Sequence, residues 1–157
     1  MKKIIQDFEY KLYENIEELN EADKNLIRIS AEAAKKAHAP YSKFRVGSAV
    51  LLENGEILTG NNQENASYPV GICAERTLLS YVHANYPEKA KLKLAISVLD
   101  SDHIVSPCGL CRQTLIEYEA IQNQPIEILL YNRIGSVLVI PSAASLLPLF
   151  FDEKSLT

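Results

Sequence analysis

The chain has no tryptophan, one methionine and three cysteines in 157 residues. With so few thiols, a four-cysteine structural metal site cannot be completed within one chain. It also lacks any unbroken apolar stretch near the roughly 20 residues that a membrane-spanning helix requires, so no span is expected. The first apolar residues, Ile4 and Ile5, are followed by Asp7 and Glu9 before a signal-peptide core can develop, so export is not expected either. A cytosolic location follows as the expectation, where thiols stay reduced. Long basic runs are missing as well. At a net charge of −4 the surface as a whole has nothing to draw a nucleic-acid polymer, which turns attention to a small-molecule partner. No internal repeat or low-complexity segment interrupts the chain.

What remains is ordinary for a folded domain: 47% hydrophobic and 23% charged residues. The length fits one domain over 1–157, able to bury about two thirds of its extended surface. Residues 1–20 mix charge with Phe8, Tyr10, Leu12, Tyr13 and Ile16 without a clear period, and are read as an arm or short strand. The core is placed at 21–150. Leu26, Ile29, Ala33, Ala34 and Ala37 recur at helical spacing and predict a helix from Glu21 to about His38. Strands are expected over Phe44–Leu52 and Ile57–Gly60, joined by the hairpin signal Asn54-Gly55.

A polar loop, Asn61 to Gly71, leads to a helix from about Cys73 to Asn85. Then come a strand at Leu92–Leu99, a helix from Cys108 to Tyr118 opened by Ser106-Pro107, strands at Ile126–Tyr131 and Val137–Ile140, and a short helix after Pro141. This order predicts an α/β fold, a three-layer α/β/α domain with a mixed five-stranded sheet whose strand-helix-strand-helix-strand core runs parallel at least in part.

All three cysteines fall in two short motifs, Cys73-Ala74-Glu75-Arg76 and Pro107-Cys108-Gly109-Leu110-Cys111-Arg112-Gln113. A lone Cys-x-x-Cys also suits a redox pair or half of a structural zinc site. Cys73, with Glu75 two residues on and Pro before the pair, shifts the reading to catalytic zinc. Zn²⁺ is tetrahedral and borderline soft, so Cys73, Cys108 and Cys111 make a fitting shell with one position left open. Glu75 is too close in sequence to Cys73 to serve as a fourth ligand and reads as a proton shuttle. Zinc deaminases of nucleobases carry this arrangement of a ligand, a non-ligand Glu two residues later and Pro-Cys-x-x-Cys. The histidines, His38, His83 and His103, have no ligand spacing to either motif.

Both motifs sit at expected helix starts, where partial positive charge and free N–H groups favour thiolate. Three thiolates on Zn²⁺ leave a formal charge of −1, which blunts its acidity, so a compensating cation is expected from Arg76 or Arg112 acting on the sulfurs. The chemistry read from this set is hydrolytic removal of an amino group from an aminopyrimidine, with Glu75 moving the proton in both directions.

Three stretches carry a family likeness: Pro40-Tyr41-Ser42-Lys43-Phe44-Arg45-Val46-Gly47, then Asn62-Gln63-Glu64-Asn65-Ala66-Ser67-Tyr68-Pro69-Val70-Gly71-Ile72-Cys73-Ala74-Glu75-Arg76-Thr77, then Ser106 to Gln113. From about Glu21 to Phe150 the chain resembles cytidine deaminase of the small, homotetrameric, three-cysteine type. The resemblance implies one zinc per subunit and deamination of cytidine and deoxycytidine in pyrimidine salvage. It implies that Asn62 and Glu64 bond the ribose hydroxyls, that Phe44 stacks on the pyrimidine, and that Ala66, Tyr68 and Ala74 line the nucleoside site. On the residues alone, Phe44 reads sooner as core and Asn62-Glu64 as a solvated loop.

The resemblance also implies sites between subunits, with Phe150 reaching into a neighbour's pocket. Arg45 stands where relatives often have Pro, and the arm departs from the pattern. A deaminase of an aminonucleoside antibiotic such as blasticidin S shares the cysteine motifs, but the Asn62-to-Tyr68 stretch argues for a ribonucleoside.

Overall fold

The computed structural model describes residues 1–156. Nine regular elements follow one another: β1 (Lys11–Tyr13), α1 (Glu21–Ala34), β2 (Val46–Leu52), β3 (Ile57–Asn61), α2 (Ala74–Asn85), β4 (Lys91–Val98), α3 (Gly109–Gln122), β5 (Glu127–Tyr131) and β6 (Val137–Ile140), with short 3-10 turns between and after them. The strands form a single mixed sheet in the order β1-β6-β5-β4-β2-β3. The sheet thus has six strands where five were expected. The extra one is β1, whose Leu12 and Tyr13 pair with Leu138 and Val137. Its three residues carry no period of their own, and only the exposed edge of β6 makes them a strand.

β4 and β5 are hydrogen-bonded in parallel, and the other neighbouring pairs are antiparallel. β3, β4 and β5 nevertheless point the same way, because β2 lies antiparallel between β3 and β4. Helix starts therefore follow the carboxyl ends of β3 and β4, which brings the two cysteine motifs to one end of the sheet.

Alternation along the strands divides the core between two faces. Val50, Leu94, Ile96, Ile128 and Leu130 pack with Leu78, Leu79 and Val82 of α2 and Leu115 and Ile116 of α3. Ala49, Ala95 and Leu129 face Leu26 and Ile27 of α1. The α1 face uses small residues because helix and strand approach closely. The Ser30 and Ser97 hydroxyls bond each other across it, and a Cβ on Gly47 would stand 2.0 Å from the Ser30 carbonyl oxygen and 2.3 Å from the Ala34 nitrogen. Gly47→Ala forces two backbones apart and is expected to cost about 3 kcal/mol of stability. A urea unfolding midpoint that does not move would contradict this close approach.

Asn20 caps α1, its side-chain oxygen accepting from the Asp23 N–H at 2.9 Å. The helix stops at Ala34, short of the expected His38. The Lys36 and Ala37 N–H groups reach back only three residues, to Ala33 and Ala34, and tighten the chain into a turn. His38 is thereby freed to exchange backbone bonds with Asn62 and Glu64 (3.0 and 2.8 Å), anchoring the loop after β3. The expected helix after Pro141 is one 3-10 turn, Ala143–Leu146, capped by Ser142.

Candidate active site

Cys73 is the N-cap of α2 and Cys108 the N-cap of α3, both with extended backbone. Their carbonyls accept from Thr77 and Arg112, each at 3.0 Å, while neither sulfur caps its helix. The sulfurs are left for something else. α2 is seated deep on the sheet, with the Ser48 hydroxyl donating to the Ala74 carbonyl at 2.9 Å. Gly60 allows that depth, since a Cβ there would meet the Leu78 Cβ at 2.8 Å.

Cys73 Sγ lies 3.8 Å from Cys108 Sγ, which lies 3.5 Å from Cys111 Sγ. The three sulfurs fall within 4.8 Å of one another, the one such group of potential ligands among the described residues. Tetrahedral zinc with Zn–S bonds near 2.3 Å holds its sulfurs about 3.8 Å apart. The donor set therefore fits one zinc ion in both softness and spacing. Cys73 is half-buried, Cys108 exposed and Cys111 buried. The Cys73 thiol is pulled down to about 5, first by its hydrogen bond with Cys111 and further by Cys108 and the Arg76 charge, while Cys111 is pushed up.

Arg76 faces the Cys73 and Cys111 sulfurs with its charge. Its Nη2 reaches the Gly71 carbonyl at 3.4 Å, and its Nε is buried with no partner. Arg112, the second candidate for the sulfurs after Arg76, donates to the Pro107 carbonyl (2.8 Å), the Leu146 carbonyl (2.9 Å) and the Ser106 hydroxyl (2.9 Å). It braces the turn that delivers Cys108.

Glu75 is 5% exposed in the first turn of α2. Burial, with the neighbouring Cys73 thiolate adding to it, holds this carboxyl above the usual carboxylate range. It lines a cavity of about 190 Å³ together with Phe44, Asn62, Cys73, Ala74 and Cys108. Val46, Ile96, Val98, Val105, Ser106 and Pro107 complete the wall. Of these, the valines and Ile96 carry no chemical signature in the sequence. Val46 and Val98 sit at strand ends, Ile96 within β4 and Val105 in the connection to α3, and only nearness to the motifs could have pointed to them.

The other expected residues are spread around this cavity. Asn62 braces its rim, accepting from the Val46 N–H and donating to the Phe44 carbonyl, both at 2.9 Å. The Glu64 carboxylate accepts from the Tyr41 N–H at 2.9 Å, the Ser42 N–H at 3.2 Å and the Ser42 hydroxyl. These bonds, Ser42's hydroxyl first, keep its pKa below the ordinary value. Glu64 and Tyr68 line a second depression with Tyr41 and Ser42, and Ala66 is exposed on the same loop. Phe150 does not line this cavity but a separate depression with Ile116 and Ala120 of α3.

Residues 20–126 match the family model for the cytidine and deoxycytidylate deaminase zinc-binding region. A cytidine deaminase of Sporosarcina psychrophila is 37% identical over 134 residues, 85% of this chain and 94% of that one. One of Mycobacterium tuberculosis is 35% identical over 123 residues, covering 75% and 88%. The crystal structure of cytidine deaminase from Burkholderia pseudomallei superposes with a TM-score of 0.74 at 36% identity, covering 85% of this chain and all of that one. With its cysteines at zinc spacing and this match over most of its length, the chain belongs to the cytidine and deoxycytidylate deaminase family.

Proposed function

We propose that the protein hydrolyses cytidine and deoxycytidine to uridine and deoxyuridine, releasing ammonia. The observation that carries this reading is the joint placement of sulfurs at zinc spacing, a buried carboxyl at Glu75 and the ring of Phe44 around one cavity. Cys73, Cys108 and Cys111 hold the metal. Zinc bound there supplies the Lewis acidity that makes water a competent nucleophile near neutral pH.

The chain's own groups do the rest. Glu75 takes a proton from the attacking water and delivers it to the ring nitrogen. A second transfer through the same carboxylate protonates the departing amine, so one water is consumed and one ammonia leaves. Arg76 draws negative charge from the sulfurs. Phe44 offers a flat apolar face to the pyrimidine, and Asn62 and Glu64 provide an amide and an ionised carboxylate for the sugar hydroxyls. Ala66, Tyr68 and Ala74 complete the nucleoside surface.

In this reading residues 21–150 are the catalytic core and 1–20 an accessory arm, and the three free thiols act in a reducing compartment such as the cytosol. The working enzyme is a homotetramer with sites between subunits. Phe150, which does not line its own chain's cavity, is then available to a neighbour's, and exposed Tyr68 and Val70 gain a cover.

The test is turnover by the zinc-loaded protein, read by ultraviolet absorbance and ammonia release, on cytidine, deoxycytidine and blasticidin S. Nucleoside turnover is expected. A preference for the antibiotic, or none of the three consumed, overturns the reading. Glu64→Ala should raise KM for cytidine about tenfold with a smaller change in kcat, because the loss falls on binding. An unchanged KM would detach this loop from the sugar.

A further inference from the structure

Besides the connection from β3 into α2, which carries Asn62, Cys73 and Glu75, two chain segments wall the cavity and reach it from different strands. One is the segment leading into β2, which carries Phe44. The other is the connection from β4 to α3, which carries Val105, Pro107 and Cys108. The regular ladder between β2 and β4 ends at Val46 opposite Val98. Beyond that pair nothing in the sheet requires the two segments to stay together.

Arg45 and Asp100 continue the pairing past the end of the ladder. The Leu99 N–H donates to the Arg45 carbonyl at 3.1 Å. The Arg45 N–H donates to Asp100 Oδ2 at 2.8 Å, and its guanidinium closes a fork on the same carboxylate, Nε to Oδ2 at 3.0 Å and Nη2 to Oδ1 at 2.6 Å. One carboxylate thus holds both the backbone and the side chain of the residue next to Phe44. Bidentate forks of this kind fix geometry as well as charge.

A second fork grips the same connection from the other side. Arg133 donates to both oxygens of Asp102 at 2.7 and 2.8 Å. Downstream, Arg112 braces Ser106 and Pro107 as described. Of the three arginines, only Arg45 is bonded in sequence to a residue of the cavity wall, so only its pair ties one wall to the other.

We propose that Arg45 and Asp100 are positioning residues that set the gap between the Phe44 ring and the Cys108 loop, and so the fit of the pyrimidine. This deepens the deaminase reading and rests on it. The pair is partly exposed, with side chains 45% and 26% accessible, so its contribution to global stability is small. Its effect should appear in substrate fit, where a misplacement of the wall by about 1 Å is felt strongly.

The experiment is a double-mutant cycle on the zinc-loaded enzyme with Arg45→Ala, Asp100→Ala and the double variant, and with Arg45→Lys as the conservative change. Each single alanine should raise KM for cytidine about fivefold while kcat changes less than twofold. The double variant should be no worse than either single one, and Arg45→Lys should lie between Arg45→Ala and wild type. Arg28→Ala, which breaks an exposed pair with Glu17 on α1, serves as a control expected to match wild type. Zinc content should be unchanged throughout. Unchanged KM in Arg45→Ala, or additive effects in the cycle, would refute the positioning role while wild-type turnover still supports the deaminase reading. Failure of the wild type to turn over cytidine removes that reading itself.

Discussion

Glu75→Gln is expected to lower kcat for cytidine about a thousandfold while the protein keeps its zinc. The amide is close to the carboxyl in shape and hydrogen-bonds in its place, but it cannot accept a proton from water and pass it on. Positioned acid–base groups contribute about 10²- to 10⁴-fold, and here one group serves both the addition and the departure of ammonia, which puts the loss well above the lower end of that range. Glu75 is not needed to hold metal, because the sulfurs meet the zinc spacing without it.

Nor should the fold suffer. The carboxyl is buried next to a thiolate that repels its charge, so a neutral amide of the same size relieves a cost rather than adding one. The melting temperature should stay level or rise. Metal analysis, thermal melts and steady-state kinetics on one preparation decide the matter. More than about a tenth of wild-type kcat would remove Glu75 from proton transfer, since that loss is smaller than any acid–base contribution in the range.

The metal cluster of this site was readable in the sequence because metal binding demands rare residue types at tight spacing. With three cysteines in the whole chain, Cys73, Cys108 and Cys111 had no competitors, and Glu75 and Arg76 were fixed by adjacency. The helix α1 was readable from its period, and five of the strands as apolar runs bounded by turn signals, because the central strands bury both faces. The sixth strand was not, because β1 draws its conformation from the edge of β6 and carries too few residues to show alternation.

Arg112 illustrates a second kind of illegibility. Its place beside Cys111 made it a candidate partner for sulfur, yet the first turn of α3 directs it backward onto Pro107 and across to Leu146. Side chains on a helix lean toward the turn before their own Cα, and adjacency in sequence does not report that direction. Asn62 and Glu64 are intermediate. Their polarity alone suited a solvated loop and only the resemblance gave them the sugar hydroxyls, and in this structure their first partners are the backbone of Phe44 and Val46 and the Tyr41-Ser42 turn.

Cys108→Ala should abolish turnover and leave the protein free of zinc after dialysis. Two thiolates remain, one buried and one half-buried, and two ligands do not satisfy a tetrahedral ion that ordinarily takes at least three from the protein. Binding energy for such a metal is also folding energy. At free zinc a thousandfold above its Kd, the loss is about 4 kcal/mol, which for a domain of this size lowers the melting temperature by roughly 10 °C. The Cys108 sulfur makes no capping bond to α3, so the alanine removes no helix contact and the deficit belongs to the metal alone. Wild type stripped by a chelator should accordingly melt with the variant.

Serine at the same position separates the two contributions. Its hydroxyl caps a helix well where a thiol does not, and the cap is worth about 1 kcal/mol. Cys108→Ser should therefore be as metal-free and inactive as the alanine variant, yet more stable than chelated wild type. A serine variant that retains tightly bound zinc, or an alanine variant that melts with the zinc-loaded enzyme, would mean that Cys108 stands outside the metal shell.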